Sequence, residues 1–264
     1  MPSYLITGAN RGLGYAFVQY LSRDSSNTII GLVRNKASAD ASVSRDNLKN
    51  VTMLQADISD RASLVSARDS VTSITGGKLD YLINNAAYID LVTQANSLDD
   101  FADADKLNPD ILDAELIKSF RVNVIGVIDT INTFLPLIKN GTAKKVIVIS
   151  TGMADHDLVN NGQIWNSASY AISKAAVNMV VSKYNARLAS QGILVFALSP
   201  GVVATYSGDE PAALGDLRRM VPGWPGPLQP LESAEMCMNV IHDFSLEKGN
   251  GGAFVSHHGN KEWL

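Results

Sequence analysis

The chain has 264 residues, 46% hydrophobic and 18% charged, enough apolar material for a core without metal or disulfide staples and too much for a disordered polymer. Its net charge of −4, with no cluster of Lys and Arg, excludes the basic footprint that nucleic acid or anionic lipid requires. The single cysteine, Cys237, excludes an internal disulfide and a thiolate zinc site and fits a reducing compartment.

Taken in chain order, short apolar runs rich in Val and Ile at 4–6, 28–33, 51–54, 81–83, 146–149, 193–196 and 253–255 read as strands. Between them, helical patterns are expected at 12–23, 60–73, 111–138, 169–190 and 231–244. In the third of these Leu112, Leu116, Phe120, Val124 and Val127 form one apolar stripe, and Pro136 is expected to break it near its end. Runs apolar on both sides, joined by long crossovers, predict an α/β domain with a doubly wound, mostly parallel seven-stranded sheet and helices on both faces. One Rossmann domain over 1–264 is expected, with irregular excursions at 88–110, 152–169 and 206–230, the last carrying Pro211, Pro222, Pro225, Pro227 and Pro230. β-type sequence from Tyr4 leaves no room for a leader, and no apolar run is expected to approach the roughly 18 residues of a membrane span. A cytoplasmic protein without membrane attachment is the expectation.

The first strand runs directly into Thr7-Gly8-Ala9-Asn10-Arg11-Gly12-Leu13-Gly14. Gly8 permits a sharp turn, Gly12 lets backbone approach a pyrophosphate, and Gly14 lets the first helix pack close to the sheet. The helix start then offers amides and a positive dipole end to phosphate. About twenty residues past Gly14, where dinucleotide folds place an acid for ribose hydroxyls or a base for a 2′-phosphate, stands Arg34, followed by Asn35. Arg34 with Arg11 favours NADP(H). Asp57, beside Ile58, is placed either to accept from the adenine amino group or to cap the next helix.

Further along, Tyr170 and Lys174 sit four apart, on one helix face, so that the ammonium is expected to favour the phenolate. Before them come Asn123 on the long helix and Ser150-Thr151 at a strand end. These residues, together with the glycine turn, Asp57, Asn84-Asn85-Ala86-Ala87 and Ser199-Pro200-Gly201-Val202-Val203-Ala204-Thr205, make the chain resemble the short-chain dehydrogenase/reductase family over nearly its whole length, and within it the carbonyl reductases related to C-factor and sniffer.

The resemblance implies that Tyr170 exchanges a proton with the carbonyl oxygen as hydride moves to or from a nicotinamide. Lys174 would hold the nicotinamide ribose and depress the Tyr170 pKa, and Asn123 would anchor a relay water. Asn84 and Ala86 would run beside the cofactor, with Pro200 and Gly201 lining it and Val203 and Thr205 holding the carboxamide. Two positions depart from the family pattern: Thr151 stands where serine is usual, with Ser150 as the neighbouring hydroxyl, and Ala87 replaces a glycine. The interval from Thr151 to Tyr170 is also long, so 155–165 is expected to line or cover the substrate mouth.

The expected function is NADPH-dependent reduction of a ketone or aldehyde, bulky or aromatic in view of the enlarged loops, where Trp165, Tyr206 and Trp224 are placed either to stack on substrate or to pack the core. A dehydration, isomerisation or cyclisation on the same scaffold, and a non-enzymatic NADP(H) sensor, are the alternatives. No HExxH or GxSxG occurs, and His257-His258 reads as a tail, so no metal is expected and hydrolase chemistry is set aside. Partners are a small carbonyl or alcohol substrate and no nucleic acid. Relatives commonly pair through helices equivalent to 111–138 and 169–190, but the insertion at 88–110 adjoins that surface and can block or reshape it, which leaves dimer, tetramer and monomer open.

Overall fold

In the computed structural model, which describes residues 1–206, 208, 212–221 and 223–264, the apolar runs become strands β1 (Ser3–Thr7), β2 (Thr28–Val33), β3 (Val51–Gln55), β4 (Tyr81–Asn84), β5 (Lys145–Ile149), β6 (Leu194–Ser199) and β7 (Phe254–Ser256). All pair in parallel, in the order β3-β2-β1-β4-β5-β6-β7. Side chains alternate between the two faces. Ile6, Ile147 and Ile149 join one core and Leu5, Val146 and Val148 the other, so β1 and β5 present apolar side chains to both faces of the sheet.

The helices are α1 (Gly12–Ser22), α2 (Lys36–Arg45), α3 (Arg61–Thr75), α4 (Pro109–Phe120), α5 (Gly126–Asn140), α6 (His156–Asn161), α7 (Ala168–Leu188), α8 (Ala212–Met220) and α9 (Pro230–Asp243). One face of the sheet is covered by α1 and α9 through Phe17, Val18, Met238 and Ile241, the other by α3, α5 and α7 through Leu64, Phe134, Val177 and Val181. Burying each such side chain contributes roughly 1.5–3 kcal/mol.

The long helix expected over 111–138 is interrupted by a π-turn at Arg121–Ile125, where the amide of Gly126 reaches the carbonyl of Arg121. Pro136 does not break it. α5 runs on to Asn140, its last turn held by buried Leu137 and Ile138 and by the amides of Leu79 and Gly141, which both donate to the Leu137 carbonyl. Counted as one helical run from Pro109 to Asn140, π-turn included, it is long and apolar enough to span a membrane by length and composition, correcting the expectation that no run approaches that size. Its inward residues Val127, Ile131, Phe134 and Ile138 lie in the core against the sheet.

The excursions hold more structure than expected. A 3-10 turn occupies Asp99–Ala102, a second one Gly152–Ala154, and α6 and α8 lie in the second and third excursions. The third is closed at its base by a bridge between Val203 and Leu228, while Pro211 and Pro222 lie outside the described residues. Strand order reverses between β1 and β4, which opens a crevice at the carboxyl ends of the strands.

Candidate active site

Across that crevice the turns after β1 and β4 are bonded to each other. Thr7 Oγ1 accepts from the amides of Asn85 and Ala86 at 3.0 and 2.9 Å, and Asn85 Nδ2 donates to the carbonyls of Thr7 and Gly8 at 3.0 and 3.3 Å. Gly8 has a φ of +68°, and a Cβ there would lie 2.9 Å from the Ala86 backbone. A Cβ on Gly14 would meet the Gly8 carbonyl oxygen at 2.2 Å, the close approach its position predicts. Gly12, at φ +55°, faces Thr205, whose methyl would be 3.1 Å from an added Cβ. The structure thus brings the glycine turn, Ala86 and Thr205 to one crevice, with Leu13 buried beneath it and Asn10 exposed above.

Arg11 and Arg34 are exposed on this rim and, among the described residues, enter no ion pair. Arg11 is the N-cap residue of α1 yet makes no side-chain cap bond, which leaves the first helical amides to an anion. Asn35 instead caps α2 by accepting from Ser38. Asp57 does not cap α3. Asp60 does, accepting from Ala62, and Asp57 closes a turn by accepting from the amide and hydroxyl of Ser59 at 2.8 and 2.7 Å. Burial works to raise the Asp57 pKa, but these donors, with Arg34 and Arg121 nearby, hold it below the usual carboxylate range. Ile58 is buried over Gly126. Asn84 is buried, donates to the Ile147 carbonyl at 3.3 Å, and keeps an Oδ1 without a partner. Bare backbone, uncapped amides and exposed guanidinium groups fit the phosphates of a nicotinamide dinucleotide.

On α7 the Lys174 ammonium is buried, donates to the Ile149 carbonyl at 2.8 Å, and lies 5.7 Å from the centroid of the Tyr170 ring. In the cofactor-free fold burial shifts the Tyr170 pKa upward, opposite to the expected direction. Burial dominates both groups, pushing the phenol up to about 12 and pulling the ammonium down to about 8. Tyr170 is therefore a neutral phenol at pH 7, in the form that can give a proton. Asn123, in the π-turn and fully buried, accepts from the Tyr88 amide at 2.7 Å and donates to the Tyr88 carbonyl and to Ser173 Oγ at 2.9 Å each. Ser173 in turn donates to the Tyr170 carbonyl at 2.7 Å. Both Nδ2 protons of Asn123 and one lone pair of its Oδ1 are thus engaged.

The neighbouring hydroxyls separate cleanly. Ser150 is buried and donates to Asn178 at 2.8 Å on the flank of α7, which corrects its candidacy as the carbonyl-polarising group. Thr151 lines a cavity of about 280 Å³, and its Oγ1 accepts from the Met153 amide at 3.3 Å, leaving the hydroxyl proton free to donate. All three excursions contribute walls: Gln94; Met153, Leu158 and Ile164; Leu214, Leu217 and Val221. Gly201, with φ +78°, lies against buried His257, while Pro200 accepts from Ser233.

The three loop aromatics, open between substrate stacking and core packing, lie away from the cavity. Trp165 and Tyr206 are exposed and Trp224 meets Arg218; none lines this cavity. Trp263 does, stacked on Phe254 with centroids 4.5 Å apart and seated where a Cβ on Gly152 would lie 2.9 Å away. His257 is likewise buried rather than part of a loose tail, its pKa pulled down to about 4 by burial and by His258. Of the catalytic candidates, Thr151 is among the cavity's lining residues and Tyr170 is not.

A family model described as short chain dehydrogenase matches residues 3–212. The short chain dehydrogenase virK of Hypocrea virens is 42% identical over 275 residues and the short-chain dehydrogenase/reductase AacuF of Aspergillus aculeatus 46% over 273, each match covering 100% of both chains. Among solved structures, the carbonyl reductase Sniffer of D. melanogaster gives a TM-score of 0.77 at 22% identity and the NADPH-bound carbonyl reductase from chicken fatty liver 0.75 at 23%, each covering 98% of both chains. At that identity the likeness is one of fold. With a family match across most of the chain, full-length relatives, and the glycine turn and Tyr170/Lys174 pair in place, the chain belongs to the short-chain dehydrogenase/reductase family.

Proposed function

We propose that the protein is an NADPH-dependent carbonyl reductase acting on a bulky ketone or aldehyde, with Tyr170 as the proton donor. The observation that carries this reading is the Tyr170/Lys174 pair: a phenol with, one helical turn on, a buried ammonium anchored to the Ile149 carbonyl and 5.7 Å from the ring centre. NADPH, when bound, would supply the hydride. Arg11, Arg34 and the first amides of α1 would hold its phosphates, Lys174 would use its remaining donors on the nicotinamide ribose, and Val203 and Thr205 would hold the carboxamide. Thr151 donates a hydrogen bond to the substrate carbonyl oxygen and Tyr170 delivers its proton to the same atom. Leu158, Ile164, Leu214, Leu217 and Val221 give the substrate an apolar surround beside Thr151.

In this reading the protein works in the cytoplasm, as a homodimer, a homotetramer or a monomer. Exposed Ile117 and Ile125 on the long helix and Ile172 and Met179 on α7 are the apolar surface available for pairing. The test is NADPH and NADH oxidation with phenanthrenequinone and a panel of aromatic ketones. NADPH-selective oxidation is expected. Tight NADPH binding with no oxidation across the panel would favour a sensor.

A further inference from the structure

Asp90 is 2% exposed, although it belongs to an excursion whose next residues, Leu91 and Val92, are 78% and 65% exposed. Apolar packing does not hold this segment; the buried carboxylate does. It accepts from the amides of Val92 and Thr93 at 2.7 and 3.0 Å, from the Thr93 hydroxyl, and from the Ser169 hydroxyl at 3.0 Å. Burial favours the neutral acid, and these donors outweigh it, so the group stays ionised. A buried charge persists only where it is fully hydrogen-bonded.

Its distant partner, Ser169, is itself buried and immediately precedes Tyr170. Two residues earlier Ser167, the N-cap of α7, sits at φ +54°, strained for a residue with a side chain, and provides no side-chain cap. Its amide donates to the Gln94 carbonyl at 2.9 Å. The first turn of α7 is therefore fixed from outside by residues 90–94. At the other end of the segment, Tyr88 is bonded through both its amide and its carbonyl to Asn123, which reaches the Tyr170 carbonyl through Ser173. Gln94, Asn166 and Ser167 also line the cavity.

We propose that Asp90 is a positioning residue: its bond to Ser169, with that of Gln94 to Ser167, sets the register of Tyr170 and couples it to the cavity wall. The inference rests on the reading of Tyr170 as proton donor. The mildest test is Ser169→Ala, which leaves the turn around Asp90 closed, with Ser169→Thr as the rescue and Asp90→Asn as the partner variant. With NADPH and phenanthrenequinone, Ser169→Ala is expected to lower kcat about tenfold or more with unchanged NADPH affinity. Ser169→Thr should restore it, and Asp90→Asn should add little on top of Ser169→Ala. A kcat that stays within about twofold of wild type, or losses that multiply in the double variant, would overturn the proposal.

A second readout needs no turnover. In protein labelled at the tyrosine ζ-carbons, with the Tyr170 resonance assigned through Tyr170→Phe, Ser169→Ala should move that resonance and leave the other tyrosines in place. A Tyr170 resonance that does not move would overturn the proposal. A wild-type protein that oxidises no NADPH would instead count against the reductase reading, and the resonance would still judge Asp90.

Discussion

Lys174 and Tyr170 lie one helical turn apart on α7, with the ammonium 5.7 Å from the centre of the phenol ring and hydrogen-bonded to the Ile149 carbonyl. The two groups are held in proximity while burial keeps each toward its neutral form. This sets the pH behaviour of the cofactor-free fold. Between about pH 8 and pH 10.5 the unfolded chain binds a proton at this lysine that the folded chain has released, so stability rises with pH. From pH 10 to about 12 the folded chain keeps the Tyr170 proton that the unfolded chain loses, and stability falls. Lys174→Met should be more stable than wild type at neutral pH by an amount on the order of 1–3 kcal/mol, with the gap closing toward pH 10. Urea unfolding of both proteins across that range measures it, and a gap independent of pH would contradict it.

Arg34 stands exposed at the end of β2, and its charge reaches Asp57. Arg34→Ala is expected to weaken NADPH binding roughly 10- to 100-fold, the loss of a charge-assisted phosphate contact, while leaving NADH binding nearly unchanged. Titration by cofactor fluorescence checks this. Equal losses for both cofactors would mean that Arg34 does not read the 2′-phosphate.

Gly14 has no room for a methyl group, since a Cβ would stand 2.2 Å from the Gly8 carbonyl oxygen and 2.5 Å from Asn85 Nδ2. Gly14→Ala must push α1 away from the turn, at a cost of about 1–3 kcal/mol. Both Tm and NADPH affinity should fall, because the same displacement opens the pyrophosphate cradle.

The two hydroxyls after β5 should separate by kinetics. Thr151→Ala is expected to lower kcat/KM about 10²-fold or more, as removal of an oxyanion donor does, while Thr151→Ser keeps the activity. Ser150→Ala loses only the bond to Asn178 and should reduce stability by about 1 kcal/mol with little kinetic effect. A larger kinetic loss in Ser150→Ala than in Thr151→Ala would reverse the assignment.

The sheet and the Tyr170/Lys174 pair were legible because their signals are local: runs of β-branched residues, a glycine turn, and a spacing of four on one helix. α2 was not, since Ala39 is its sole buried residue and leaves no apolar stripe to read. The π-turn at Asn123 keeps the spacing of a helix while changing its hydrogen bonds, so periodicity passes over it. Asp90 has no local signal because its partner Ser169 is 79 residues away. Trp263 and His257 acquired their roles only when β7 returned the chain to the β6 edge, which no nearby residue announces.

Tyr170→Phe tests the central claim most directly, because it removes one hydroxyl and leaves the ring, Lys174 and the cavity in place. With NADPH and a carbonyl that the wild type reduces, kcat should fall by about 10²–10⁴-fold while NADPH affinity holds, matching the loss of a general acid. NADPH oxidation by Tyr170→Phe at the wild-type rate would contradict the account and remove Tyr170 as the proton donor.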